Sequence, residues 1–497
     1  MSKRLLIVKN VFSGIISRVL LLVLGFLVPR VVITTYGSDV NGLLGTVTQI
    51  FSYMALLEAG IGQATLNALY KPVANGDKEK ISLVMSSSKA YFRRATLIYM
   101  GCFCVLSFAF PFVINTNLDY VTVFLIVLFE GASEIVSFLY IQCRNELLYA
   151  EGKSYVAVST DTVIKILNYF AKIILALCGV NIVVVQMSFF GLNLLKYLFY
   201  RMYFVKDYSW LDFTKTPDKS VLKERNSFVL TELSWTVFMS TDMIVLSIFC
   251  DTKLASVYSV YNLVFMNVSN ILGAVFSGIS YLLGIEYCKN IDRYKKLHDM
   301  YNIIFMSAIT ILMSVSYIMI EPFIKLYTEG VSDVNYSYHG LAMMFSLIQL
   351  ISWSRYENGN LTGIAGYAKV MSKVSMVEAM INIIVSIILV NKLGILGVVI
   401  GTVVALPLKY FTSCYIVDKK ILHRTSWKTH FIVGLNMLLF FGVTYVCKYI
   451  DIRITGYGDF LWSSMKVLIE VGGVIAVINF IAHMKTIIHF SREFRVR

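Results

Sequence analysis

The chain has 497 residues, is 57% hydrophobic and 15% charged, and carries a formal net charge of +14 with a mean hydropathy of +0.71. A water-soluble protein of this size needs far more charged surface, so a soluble enzyme or scaffold is excluded. The basic residues fall into alternate loops between long apolar runs, which makes the positive charge a mark of topology and not a nucleic-acid-binding patch.

Runs long enough for a bilayer, about 20 residues each, predict spans at 11–33, 41–69, 90–114, 119–143, 155–178, 181–205, 226–250, 254–285, 300–320, 339–357, 370–391, 394–417, 431–449 and 460–484. The basic start "MSKRLLIVKN" leads into a run too long for a signal peptide, with no small-x-small cleavage site after it. It is read as the first anchor. Fourteen spans put both termini on one face. That face collects Lys3 and Arg4, the cluster from Lys71 to Arg94, the loop from Lys206 to Arg225, the stretch from Lys289 to Lys296 and the basic C-terminal residues. The opposite face holds little more than Lys253, Lys325, Lys392, Lys448 and Arg453, so both termini are expected to be cytoplasmic.

Charged residues inside the spans are functional candidates, because insertion scales charge about 2.5–3.5 kcal/mol for a basic residue at mid-span. In span 1, "SRVLLLVLGFLVPRVV" (17–32) places Arg18 about 12 Å into the run at about 1.5 Å per residue. Arg18 either faces an aqueous cavity or snorkels to the headgroups, and Arg30 near the outer end has the same two readings. Gly25 and Pro29 predict a kink there, as a gate element or as a fixed bend. Span 2 carries Glu58; span 7 carries Glu232 near the cytoplasmic end and Asp242 near mid-depth. Glu58 and Asp242 are the candidates for a coupling ion or proton.

Span 4 carries Glu130 and Glu134, four apart and on one helical face. Asp161, Lys165 and Lys172 of span 5 form a second stripe. Spans 4 and 5 are antiparallel neighbours, so these five residues are expected to meet as a buried ion-pair network, with a substrate or proton path as the alternative. Lys196 in span 6 and Lys409 in span 12 either snorkel or face the cavity, and Arg355 and Glu378 are further intramembrane charges.

The cysteines and histidines show no metal-ligand spacing, and the chain has no P-loop, nucleophile elbow or dinucleotide motif. No catalytic residue, metal or cofactor is therefore expected, and an ATP-driven machine or a membrane enzyme is excluded. A repeat does emerge. "GKSYVAVSTDTVIKILNYFAKIILAL" from Gly152 and "GYAKVMSKVSMVEAMINIIVSIILVN" from Gly366 share Asn168 and Asn382 and an "IIL", and "LKY" recurs at 195–197 and 408–410. The offset of 214 residues equals six spans, so the halves are parallel repeats. The expected fold is an all-α integral membrane protein of about fourteen transmembrane helices. It comprises an N-terminal lobe (1–210), a cytoplasmic linker (211–225), a second six-helix lobe (226–420) and two extra C-terminal helices (421–497). Substrate sites in such architectures lie between the lobes near mid-bilayer.

The stretch "FLVPRVVITTYG", with "NGLLG" (41–45), "LLEAGIG" (56–62) and "LYKPVANGDKEKI" (69–81), resembles the opening of bacterial polysaccharide transporters, the Wzx-type repeat-unit flippases. Asn382 and "GILGVVIGT" (394–402) are similar to their eleventh and twelfth spans, and the likeness covers most of 10–420. The resemblance implies a fold related to multidrug and toxin extrusion transporters and to lipid-linked peptidoglycan precursor flippases. It implies passage of a polyprenyl-pyrophosphate-linked oligosaccharide across the bacterial plasma (inner) membrane, for O-antigen, capsule or exopolysaccharide synthesis. Membrane lipids, a coupling proton or sodium ion and a polysaccharide polymerase are the implied partners, and nucleic acid is not among them. Spans 1, 2, 7 and 8 would line the cavity, which places Arg18, Glu58 and Asp242 there.

A pyrophosphate carries about two negative charges and suits paired guanidinium donors. Arg18, Arg30, Lys196 and Lys409 are therefore the candidate substrate-binding residues. The competing reading is a cation-coupled exporter of small amphipathic molecules on the same fold, whose mark would be an excess of cavity carboxylates. A non-transporting scaffold would leave the repeat and the buried charges unexplained.

Overall fold

A computed structural model describes the backbone of residues 3–218, 236, 240–338, 340–447 and 454–495; within these, the side chains of 3–16, 18, 19, 57, 59, 60, 274–278, 280–282, 489 and 491–495 are outside the description. Helix follows helix, with no strand among the described residues. The first six helices are α1 (Lys3–Tyr36), α2 (Ser38–Asn75), α3 (Lys78–Val113), α4 (Tyr120–Ala150), α5 (Ser154–Leu177) and α6 (Ile182–Asp207). After them come α7 (Ser240–Phe249), α8 (Thr252–Lys289) and α9 (Ile291–Tyr327). Helix α10 is broken at Arg355 into Leu341–Ser354 and Tyr356–Ile364. The chain continues through α11 (Ala368–Leu393), α12 (Ile395–Ile421), α13 (Trp427–Cys447), α14 (Tyr457–Ala482) and a short α15 (Met484–Arg495).

Each predicted span overlaps one of the helices α1 to α14. Among the described residues eight are long and apolar enough to cross a membrane, namely α3, α4, α6, α9 and α11 to α14. Helix α2, bent by 48° between Ser38–Leu56 and Ile61–Asn75, makes a ninth when its arms are joined. Large apolar side chains lie bare on the outside, among them Phe112, Leu438 and Ile469. Lipid is the environment that accepts such a surface.

Local chemistry sets the helix ends. Gly37 alone separates α1 from α2, at φ 86° and ψ 173°, a conformation open only to glycine. At the other end of α2, Gly76 adopts the left-handed conformation and Asp77 caps α3 by accepting from the Lys80 N–H at 3.0 Å. The cap hydrogen bonds hold the Asp77 carboxyl below the usual carboxylate range.

Backbone irregularities repeat with the sequence. In α4 a π-turn occupies Ser137–Ile141, and α10 breaks at Arg355, which is 214 residues beyond Ile141. Gly152 and Gly366 have φ of 72° and 84° in matching turns, and Gly179 and Gly394 close α5 and α11 at 70° and 55°. The interruption in α4 and the one in α10 thus fall one repeat period apart, whereas the π-turn at Ile416–Ile421 that ends α12 has no counterpart in α6.

The chain divides into two compact units, Met1–Ser256 and Val257–Arg497. In the first, α1 packs on α2 and α5, α4 on α3 and α6, and α5 on α6. Its core has an aromatic centre where Phe51 and Phe103 close over Gly131; a Cβ there would lie 2.4 Å from the Phe51 ring. In the second unit α11 packs along α12, α10 on α9 and α12, and α13 and α14 both rest on α9. The last two spans are joined by a reciprocal amide pair, Asn436 and Asn479, each Nδ2 donating to the other's Oδ1 at 3.1 Å.

Candidate functional site

The π-turn in α4 re-aims the polar residues that follow it. Gln142 donates from Nε2 to Glu58 Oε1 at 2.9 Å, and Glu58 Oε2 is buried without a hydrogen-bond partner among the described residues. Glu146 lies against Gly62, where a Cβ would approach its Oε1 to 2.9 Å. The glycine in "LLEAGIG" thus makes room for a second carboxylate beside Glu58.

On the other side of α4, Glu130 accepts from Gln186 Nε2 of α6 at 3.0 Å. Lys196 of α6 pairs with Asp161 of α5 at 2.5 Å, and Glu134 stands within electrostatic reach of Lys196, Asp161 and Glu130. Of the ion-pair network predicted for spans 4 and 5, only Asp161 has an ion pair among the described residues, and Glu130 accepts from an amide instead. The cation is Lys196, because α6 packs against α5 and brings that ammonium to Asp161. Lys165 keeps an exposed side chain near Glu134 with no ion pair among the described residues, and Lys172 lies over the Phe189 ring at 4.7 Å.

The second unit has a matching arrangement with the opposite charge. Arg355, at the break in α10, donates from Nη1 to Glu378 Oε1 of α11 and to the Leu406 carbonyl at 3.5 Å. Lys409 of α12 lies within electrostatic reach of both charged groups. Lys196 and Lys409, on repeat-equivalent helices, each face a carboxylate on the preceding helix. The first unit surrounds its lysine with Glu58, Glu134 and Asp161, whereas the second sets Arg355 and Lys409 around Glu378. The first arrangement suits a proton or a cation; the second suits an anion.

A third polar assembly sits at the α1–α2 corner, on the face expected to be external. Asp39 accepts from Thr252 Oγ1 at 2.5 Å and from Asn117 Nδ2 at 3.0 Å, with Lys253 Nζ at 3.8 Å. Asn41 donates to Ser256 Oγ at 2.8 Å, and Thr46 shares a hydrogen with Ser247 at 2.5 Å. A Cβ on Gly42 would lie 1.7 Å from the Thr252 carbonyl oxygen, so only glycine permits this approach. The α7–α8 corner is thereby clasped to α2 inside the first unit. Asp242, buried on α7, neighbours Thr241, whose hydroxyl meets Tyr53 of α2 at 2.5 Å.

Arg18 lies in α1 but its side chain is outside the described residues, as is Glu232 altogether. Arg30 is half-buried near the end of α1. Sequence reading missed Gln142, Glu146, Gln186 and the clasp residues. Neutral amides and short hydroxyl side chains carry no charge signal, Glu146 lies beyond the predicted end of span 4 at 143, and the π-turn before it leaves no mark in hydropathy.

Compared by sequence, the chain matches no family model and no curated protein. Its fold is that of solved transporters of the MOP superfamily. The lipid II flippase MurJ in an inward closed conformation superposes with a TM-score of 0.68 at 14% identity, over 96% of this chain and 100% of that one. An inward-facing multidrug resistance transporter of the MATE family gives 0.66 at 15% identity, over 85% and 99%. A further MOP transporter, from Pyrococcus furiosus, whose reversed pocket polarity suggested a different function for it, gives 0.56 at 15%, over 84% and 96%. The chain has the fold of a multi-span membrane transporter.

Proposed function

We propose that the protein flips polyprenyl-pyrophosphate-linked oligosaccharide repeat units from the cytoplasmic to the outer leaflet of a bacterial plasma membrane by alternating access. Both termini are placed in the cytoplasm. The observation that carries this reading is the extent of the likeness to a lipid II flippase, 96% of the chain against 85% for a multidrug transporter. A lipid-linked substrate is too large to leave the bilayer, so its tail stays in lipid while its charged headgroup follows a wet path.

In this reading Arg18 and Arg30 receive the pyrophosphate, with Lys409 beside the cationic cluster of the second unit. Lys196, set among Glu58, Glu134 and Asp161, contributes to the acidic cluster instead, because those carboxylates repel a phosphate. Glu58 and Asp242 are assigned to the coupling proton or sodium ion. The acidic cluster also favours a second reading, a cation-coupled exporter of small cationic amphiphiles.

The test is a strain lacking the protein, complemented with wild type or with Arg18→Ala, Arg18→Lys or Arg18→Glu. Loss of surface polymer with build-up of lipid-linked repeat units on the cytoplasmic leaflet supports the flippase. Arg18→Lys is expected to keep part of the export, and Arg18→Glu to be at least as damaging as alanine. Normal polymer with raised sensitivity to lipophilic cations would establish the exporter.

A further inference from the structure

The connection between the two predicted halves runs back along the first unit. Tyr208 stacks on Phe204 with ring centroids 4.5 Å apart, and its hydroxyl donates to Glu151 Oε2 at 2.6 Å while accepting from Lys153 Nζ at 2.9 Å. Trp210 lies under the Lys78 ammonium at 5.3 Å. Phe213 receives two cations, Lys89 at 5.0 Å and the Arg144 guanidinium at 4.9 Å.

The backbone is fastened as well. The Asp212 N–H donates to Ser82 Oγ at 3.3 Å, and the Asp212 carbonyl accepts from Ser86 Oγ at 3.1 Å. The Asp218 N–H donates to Ser87 Oγ at 2.9 Å, and Lys215 Nζ to the Glu79 carbonyl at 3.3 Å. Ser82 and Ser86 stand four apart on α3, so one face of that helix sets the register. Trp210, Leu211 and Phe213 also pack against the buried core that joins α2, α3, α4 and α6.

Arg144 shows what the segment covers. This guanidinium is 8% exposed, its Nε has no hydrogen-bond partner, and it makes no ion pair among the described residues. Nη1 donates to the Tyr140 carbonyl at 2.7 Å, and the group lies 3.4 Å from the Tyr140 ring. Aromatic faces therefore supply the compensation that a carboxylate supplies to Arg355. Phe213 is one of those faces, and it comes from the segment.

We propose that residues 208–218 are a strap that stays docked on the first unit throughout the working cycle and fastens the neighbouring ends of α3, α4 and α6 together, with Arg144 as the positioning residue that seats Phe213. Each cation–aromatic contact is weak alone. Spread over eleven consecutive residues and combined with side-chain burial, the attachments act together. The basic residues involved thus hold the chain's own aromatic rings in addition to marking topology.

Two measurements test this. In a background without native cysteines, Ser87→Cys with Asp218→Cys is oxidised, and surface polymer is measured per folded protein. Export at the uncrosslinked level is expected; a loss that reductant reverses would show that the strap must detach, and would overturn the proposal. The second measurement is deuterium uptake over 208–218, which does not depend on what the protein transports. Arg144→Met is expected to speed exchange there by at least about tenfold, and Arg144→Lys by less. Unchanged exchange in Arg144→Met would remove Arg144 from the strap's seating. Failure of the parent protein to export polymer would count against the flippase reading alone and leave the exchange result standing.

Discussion

Arg355 and Lys196 make the same kind of contact in different surroundings, and the difference decides what each contributes. The Arg355–Glu378 side chains are 9% and 3% exposed, whereas those of Lys196 and Asp161 are 18% and 35% exposed. Removing one partner of a fully buried pair costs about 3–5 kcal/mol, because the charge left behind has neither water nor a counter-ion. Arg355→Met is expected to fall in that range, and Lys196→Met below it, since the Lys196–Asp161 pair is the less buried of the two. Melting temperatures in detergent should rank wild type above Lys196→Met and both above Arg355→Met. Adding Asp161→Asn to Lys196→Met, or Glu378→Gln to Arg355→Met, should recover much of each loss. A reversed ranking would mean that burial does not set the cost of losing either pair. The charges in these pairs were legible in the sequence, since a lysine or glutamate within an apolar run stands out. Their pairing was not. Asp161 and Lys165 share a helical face by spacing, yet the partner comes from α6, and helix neighbourhood is a property of packing alone.

At the scale of elements, the tight α2–α8 approach and the joined C-terminal pair illustrate two ways of holding helices together in lipid. Small residues let backbones meet, and Gly42 against the Thr252 carbonyl is an extreme instance. Gly42→Val should part the clasp and expose position 46. Cysteines replacing Thr46 and Ser247 should form a disulfide in the parent and fail to do so once Gly42→Val is added; efficient cross-linking in both would mean that the corner adjusts without opening. Polar pairs are the second device. Asn436→Leu leaves Asn479 without its partner in a buried place and should lower stability by about 1–2 kcal/mol, and Asn479→Leu added to it should restore part of that. Equal stability of single and double variants would show that each asparagine is satisfied by its own helix. Hydropathy located these helices well, and the turn glycines Gly37, Gly76, Gly152 and Gly366 could be read as punctuation. The π-turn in α4 and the break at Arg355 could not, because neither needs proline or glycine at the point of interruption. Their repeat-equivalent positions are visible only once both halves have a backbone.

For the whole molecule, the repeat and the charge asymmetry make a joint claim about sidedness that three positions can test. Cys178 is exposed at the end of α5, Cys288 is exposed at the end of α8, and Leu393 is 48% exposed at the end of α11. The sequence predicts three crossings between Cys178 and Cys288, by α6, α7 and α8, so on the proposed topology the two thiols lie on opposite faces. From Cys178 to Leu393 the proposed repeat period supplies six crossings, so on that topology the two positions share a face. With both termini cytoplasmic, as proposed from the charge asymmetry, Cys178 is expected outside and Cys288 in the cytoplasm. Three variants are needed, keeping only Cys178, keeping only Cys288, or carrying Leu393→Cys with all native cysteines replaced. An impermeant maleimide added to intact cells should label the first and third, and label the second only after permeabilisation. If Leu393→Cys were labelled together with Cys288 instead, the halves would be inverted relative to one another and the parallel repeat would fail. If all three patterns were reversed, the count of crossings would stand but the basic face would be external, and the assigned direction of transport would reverse with it.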